Sequence, residues 1–168
     1  ISDSSDDSYL IGQFEKAFIK LSLNHLHNQE KFKLTKVHLE SGELNLNYEK
    51  IKKYKNIFKN TNKLKPILIK KSKVNFFDEK KYITGIEDIN FKYKPSNDSE
   101  TATLEGSFLN DKININFKSK KKEDNLYKIL TIKLSNLKML TKIEFTNLLS
   151  KKNMGTGNIL FKKNQNKI

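Results

Sequence analysis

The 168-residue chain has no cysteine, no arginine and no tryptophan, and it carries only two prolines and six glycines. It also lacks any uninterrupted apolar run near the ~18–20 residues that span a bilayer. Each absence removes a class of function. Without cysteine there is no disulfide framework and no thiolate chemistry, which suits a reducing cytosol and an extracytoplasmic compartment equally. Without arginine the chain gives up the bidentate fork that reads guanine and clamps phosphate. With no spanning run and no signal peptide, the chain as it stands is expected to be soluble. It begins at Ile1 rather than Met, so it is expected to be a segment of a longer protein.

What is present is lysine. All 33 basic residues are lysines, set against 19 carboxylates, and the formal net charge is +14. Such a surplus ordinarily points to nucleic acid or anionic lipid, through counterion release on a polyanion. Abundant Asn and Ile beside an all-Lys basic set match the residue choice of an AT-rich genome, so part of the charge reflects composition and nucleic acid is not the favoured partner. The hydrophobic fraction is 36%, below the usual ~45–50%, yet the apolar residues alternate regularly. A sheet with one apolar and one solvated face needs only every second residue to be apolar.

Two stretches thirty residues apart carry the alternation most plainly: Val37-His-Leu-Glu-Ser-Gly-Glu-Leu-Asn-Leu46 and Ile67-Leu-Ile-Lys-Lys-Ser-Lys-Val-Asn-Phe76. Apolar residues at 37, 39, 44 and 46 match those at 67, 69, 74 and 76. Each stretch reads as two short strands joined by a tight polar turn, at 40–43 and at 70–73. Strands are also predicted from the alternation over residues 14–23, 86–93, 102–109, 112–119, 126–134, 142–146 and 158–162. Turn-like charged joints at 78–81, 95–98, 110–111 and 120–124 make consecutive strands antiparallel neighbours. Between the echoes the period changes: Ile51, Tyr54 and Phe58 recur at helical spacing with lysines opposite, predicting one short amphipathic helix near residues 49–60. Residues 1–8 read as a polar, acidic, flexible lead-in, and 9–168 as a single mainly β domain: an antiparallel, curved sheet of repeated hairpins.

No catalytic constellation can be named, and no cofactor is implied. His25 and His27 would share a face on a strand, but no carboxylate follows at ligand spacing, so no metal site is assigned. His38, between Val37 and Leu39, belongs to the solvated face. Asp3, Asp6 and Asp7 lack the Gly turn and distal Glu of an EF-hand, and there is no Gly-x-Ser-x-Gly nucleophile motif. Met154-Gly-Thr-Gly-Asn158 precedes a strand rather than a helix and reads as a turn. The lysine run 118–122 reads as solvation of a hairpin tip.

What remains is an apolar face. Leu44, Leu46, Val74, Phe76, Ile89, Phe91, Tyr93, Leu104, Phe108, Ile113, Ile115 and Phe117 would form it. Periodicity alone favours an ordinary closed core over an open groove. Three classes stay open: a groove for acyl chains, a Lys-rich module binding nucleic acid or other polyanions through stacking aromatics, and a structural β-repeat with a closed core.

Several segments in order resemble the AsmA family of Gram-negative bacteria: Lys20-Leu-Ser-Leu-Asn-His-Leu26, Leu34 to Leu46, an insert, Pro66 to Asp78, Gly85-Ile-Glu-Asp-Ile-Asn-Phe91 and Leu104-Glu-Gly-Ser-Phe108. The resemblance covers roughly residues 14–162 and rests on degenerate β patterns. It implies a gutter-like sheet in the periplasm, tethered to the inner membrane by an anchor helix that this chain does not contain. It also implies a non-catalytic part in outer-membrane biogenesis, with phospholipid moving along the apolar groove over the twelve residues named above.

Overall fold

The computed structural model describes residues 12–22, 34–50, 65–148 and 155–163. Nine strands are hydrogen-bonded in chain order: β1 (Gly12–Leu21), β2 (Leu34–Asn47), β3 (Ile67–Asp78), β4 (Lys81–Pro95), β5 (Ser99–Phe108), β6 (Asp111–Lys122), β7 (Asn125–Leu134), β8 (Met139–Leu148) and β9 (Gly155–Lys163). The chain is mainly β and most pairings are antiparallel, as the alternation predicts. It divides within β4 into two units, Ile1–Asn90 and Phe91–Ile168.

In the first unit the thirty-residue echo has a physical meaning that the turn reading missed. β2 and β3 are parallel, and residues 37–40 and 43–47 of β2 pair with those thirty further on: Val37 with Ile67, Leu39 with Ile69, Leu44 with Val74, Leu46 with Phe76. The expected turns at 40–43 and 70–73 are not turns. Both strands run straight through, each with one residue in the left-handed region, Ser41 at φ 53° and Lys71 at φ 49°. A left-handed residue inside a strand interrupts the pleat, so that the alternation skips a step. That is why the apolar positions switch from odd (37, 39, 67, 69) to even (44, 46, 74, 76) without changing face. β4 repeats the device at Asp88, φ 51°, between Ile86 and Ile89, which are buried although three residues apart.

A buried side chain holds this interruption together. Ser72 accepts the Gly42 N–H at 3.1 Å and donates to the Lys70 carbonyl at 2.8 Å, so one hydroxyl bridges both strands at the break. Gly42 is needed for closeness rather than for φ: Phe14, its partner on antiparallel β1, lies where a Cβ would project. On the face away from Val74, Asn75 donates to Asn45, its in-register neighbour, at 3.0 Å and to Glu43, which also holds Lys73 at 2.9 Å.

The helix expected near residues 49–60 is not borne out. Among the described residues there is no α-helix. Only Glu49 and Lys50 of that stretch are described, in a single 3-10 turn (Tyr48–Lys50) whose Glu49 N–H is taken by the Asn47 side chain at 3.0 Å. Residues 51–60 lie outside the described residues, as do the 1–8 lead-in, His25 and His27.

The second unit is a chain of hairpins. β5 and β6 meet at Leu109–Asn110, both left-handed at φ 50° and 61°. That pair of angles gives the turn whose twist matches the flanking strands. β6 and β7 meet at Glu123–Asp124, and β7 and β8 at residues 135–138. The turn expected at 154–158 is also corrected: from Gly155 the segment is strand, paired to β8. Gly157 sits opposite Phe145, where a Cβ would come 3.1 Å from the ring, so glycine here admits an aromatic neighbour rather than a bend.

Replacing Ser72 with Ala leaves a part-buried N–H and carbonyl short of a partner, which costs about 1 kcal/mol. The expected outcome is a lowered urea midpoint for Ser72→Ala, with a larger loss for Gly42→Val, where the Phe14 ring must move. An unchanged Ser72→Ala midpoint would show that the hydroxyl bridge contributes nothing.

Candidate functional site

Residues directly opposite in a ladder share a face, so the strand registers of the second unit build its two surfaces without further assumption. One row reads Ala102, Phe117, Leu130, Ile143, Ile159 across β5 to β9; the next reads Leu104, Ile115, Ile132, Thr141, Phe161; a third reads Gly106, Ile113, Leu134, Met139, Lys163. The other face carries Thr103, Asn116, Thr131, Lys142 and Leu160 in one row and Glu105, Asn114, Lys133, Leu140 and Lys162 in the next. There Asn114 donates to Glu105 at 3.1 Å and Lys142 pairs with Glu144. One surface is apolar over five strands and the other is mostly polar.

The twelve sequence-derived site residues fall within this pattern in groups. Leu44 with Val74 and Leu46 with Phe76 are ladder pairs in the first unit, where Ile89 is the most enclosed side chain at 2% exposure. In the second unit Leu104 pairs with Ile115, while Ile113 and Phe117 flank Ile115 on the same face. Phe108 closes the hairpin opposite Asp111. Val74, Ile89, Tyr93 and Ile113 are buried; Leu44, Leu46, Phe76, Phe91, Leu104, Phe108, Ile115 and Phe117 are half-buried.

Sequence reasoning left out the other half of the face: Leu130, Ile132, Leu134, Met139, Ile143, Ile159 and Phe161. Ile159 and Phe161 are the more accessible, at 75% and 57% exposure. In β7 apolar residues occur at both parities, as in Ile129-Leu130-Thr131-Ile132, which hides the alternation. Counting outward from the short turns would have fixed the register and recovered them.

Tyr93 and Asp111 of this unit are engaged structurally. Tyr93 donates its hydroxyl to Glu100 Oε2 at 2.8 Å. Burial first, then that hydrogen bond and the carboxylate charge, push the phenol up to about 12. His38 in the first unit shares its face with Glu40, 2.8 Å away, and lies 5.4 Å from the ring of Phe18 opposite. Among the described residues no three His, Asp or Glu side chains come together as a metal site would require.

Asp111 opens β6 and closes a different turn. Its carboxylate accepts the Asn136 N–H at 2.8 Å and the Leu137 N–H at 3.0 Å, clamping the β7–β8 connection, while Ser135 N–H reaches the Lys112 carbonyl at 3.0 Å. Desolvation pushes this carboxyl up, but hydrogen bonds from the backbone at Asn136, Leu137, Lys112 and Ser135 outweigh it and hold the group below its ordinary value. A folded value below the unfolded one means that the contribution to stability is complete above about pH 4 and is lost as the pH falls through the folded value. Asp111→Asn is therefore expected to be less stable than the parent at pH 7, with the gap in urea midpoint narrowing toward pH 3. A gap independent of pH would show that the ionised carboxylate is not the clamp.

Comparison with known proteins gives no match: no family model fits the chain, and neither a curated protein nor a solved structure is found similar to it.

Proposed function

We propose that the chain is a non-catalytic, AsmA-like β domain that binds phospholipid on its apolar face and conducts it along a gutter-like sheet. On this reading it works in the periplasm, as part of a protein anchored in the inner membrane, in outer-membrane biogenesis. One observation carries the reading. The two central rows, from Ala102 to Ile159 and from Leu104 to Phe161, cross five strands in register and contain one hydroxyl, Thr141, and no charge.

At about 4.8 Å per strand the rows extend about 19 Å. One leaflet's acyl depth is about 15 Å, half of the ~30 Å hydrocarbon core. A face of that size and chemistry suits an acyl chain, which asks for continuity and makes no demand for fixed hydrogen bonds. A polyanion module would instead need its aromatics exposed among the lysines. Tyr93 is buried against Glu100, and Phe117 lies in the apolar row while its neighbour Lys118 projects to the other face. Those placements favour lipid.

The test is to express the chain in a bacterial periplasm, purify it without detergent, and analyse an organic extract by mass spectrometry. Retained phospholipid is expected for the parent. Ile115→Asp and Leu130→Asp, each confirmed folded by circular dichroism, are expected to retain at least about tenfold less, because each sets a charge on the apolar bed. A stable parent free of lipid would overturn the reading.

A further inference from the structure

Beside the apolar rows, the same face of the second unit carries a row of different character: Glu100, Ser119, Lys128, Phe145 and Gly157. Beyond it come Lys121, Leu126, Asn147 and Gly155. Two carboxylates of this face are already engaged, Glu100 by the Tyr93 hydroxyl and Asp111, at the far margin, by the 135–138 turn, while Asp98, whose carbonyl accepts the Lys121 N–H at 2.7 Å just ahead of β5, is exposed and without an ion pair among the described residues. The cations are not so engaged. Lys128 is half-buried between Ser119 and Phe145 across the ladder and Leu126 and Leu130 along it; neither it nor Lys121 has an ion-pair partner among the described residues. Glu123 and Asp124, in the turn beyond, are exposed and likewise without an ion pair there. A lysine so placed lays its stem over apolar surface and holds its ammonium at the margin.

We infer that this margin, Lys128 with Lys121, binds the phosphodiester of a phospholipid whose tail runs along the strands over Phe117 and Leu130, then Ile115 and Ile132, then Ile113 and Leu134. The inference rests on the phospholipid reading above and adds to it where the headgroup lies. The length fits: from Lys128 to Leu134 is six steps of about 3.4 Å, or about 20 Å, enough for an acyl chain to end on the face that its headgroup borders. Lys163, on the same face, stands at the opposite margin, in the row of Ile113 and Leu134 where the tail ends but two strands away from Leu134, on β9.

The test offers the 168-residue chain nonionic-detergent micelles holding equal phosphatidylglycerol and diacylglycerol with identical acyl chains, then repurifies it and measures the bound ratio. The parent is expected to favour the phosphate-bearing lipid by about tenfold or more. Lys121→Gln with Lys128→Gln should bring the ratio near one while leaving bound diacylglycerol unchanged. Lys128→Arg, which keeps the charge, should retain the preference. So should Lys112→Gln with Lys133→Gln on the other face. Equal binding of both lipids by the parent would overturn the headgroup site and leave the lipid reading standing. A preference that survives Lys121→Gln with Lys128→Gln, or that falls equally with Lys112→Gln and Lys133→Gln, would overturn its location. No binding of either lipid by the folded parent would overturn both readings.

Discussion

Everything on this sheet depends on parity. A ladder assigns each side chain to a face by counting, and a slip of one residue would send a whole strand's apolar set to the wrong side. The first unit meets that constraint at a break that it makes itself. Ser41 and Lys71 interrupt β2 and β3 between the same two register pairs, Glu40 with Lys70 and Glu43 with Lys73, so the parallel pairing resumes at its original offset. Ser72 then satisfies the backbone groups that the interruption exposes. Had only one strand carried the left-handed residue, Leu44 and Val74 would no longer face the same way.

This explains which parts of the fold were legible. Alternation announced the strands, and charged joints announced most of the hairpins, because both are local properties of a few residues. The echo between 37–46 and 67–76 was legible as a repeat but misread as two hairpins. A left-handed Ser or Lys inside a strand has no sequence signature, whereas Ser-Gly and Lys-Lys-Ser look like turns. Pairing is non-local, and nothing in either stretch states that its partner lies thirty residues away. The correct clue was the offset itself, since identical patterns at a fixed spacing are what in-register parallel neighbours require.

The apolar face was half legible for a related reason. Where one face of a strand is polar, as in β6 with Lys112, Asn114, Asn116 and Lys118 alternating against Ile113, Ile115 and Phe117, the sequence separates the two sides unaided. In β7 and β9 apolar residues fall on both sides, and only the ladder sorts Leu130 from Ile129 or Phe161 from Leu160. The mixed strands lie toward the β9 side of the unit, where Ile159, Leu160 and Phe161 are all exposed. Exposed apolar side chains on both faces of a strand are costly in water unless something covers them, so the β9 side is the part of the face with most to gain from an apolar ligand.

The distribution of charge completes this picture. Several carboxylates of the described residues work inside the fold: Asp111 on a turn, Glu100 on a phenol, Glu105 on an asparagine, Glu43 on an asparagine and a lysine. Of these only Glu43 pairs with a lysine, Lys73; the others bind neutral donors. The surplus itself is the +14 of the composition, and what the fold decides is where the lysines stand. On the polar face that surplus is solvated and screened within about 8–10 Å at ordinary ionic strength. Beside apolar rows the same ammonium stands next to low-polarity surface, where a paired anion gains more and an unpaired one loses more. In β5 to β9 the register sets Lys128 and Lys121 at one margin of the apolar face and Lys163 at the other, and this makes those margins, rather than the lysine-rich surface at large, the place where charge can select a ligand.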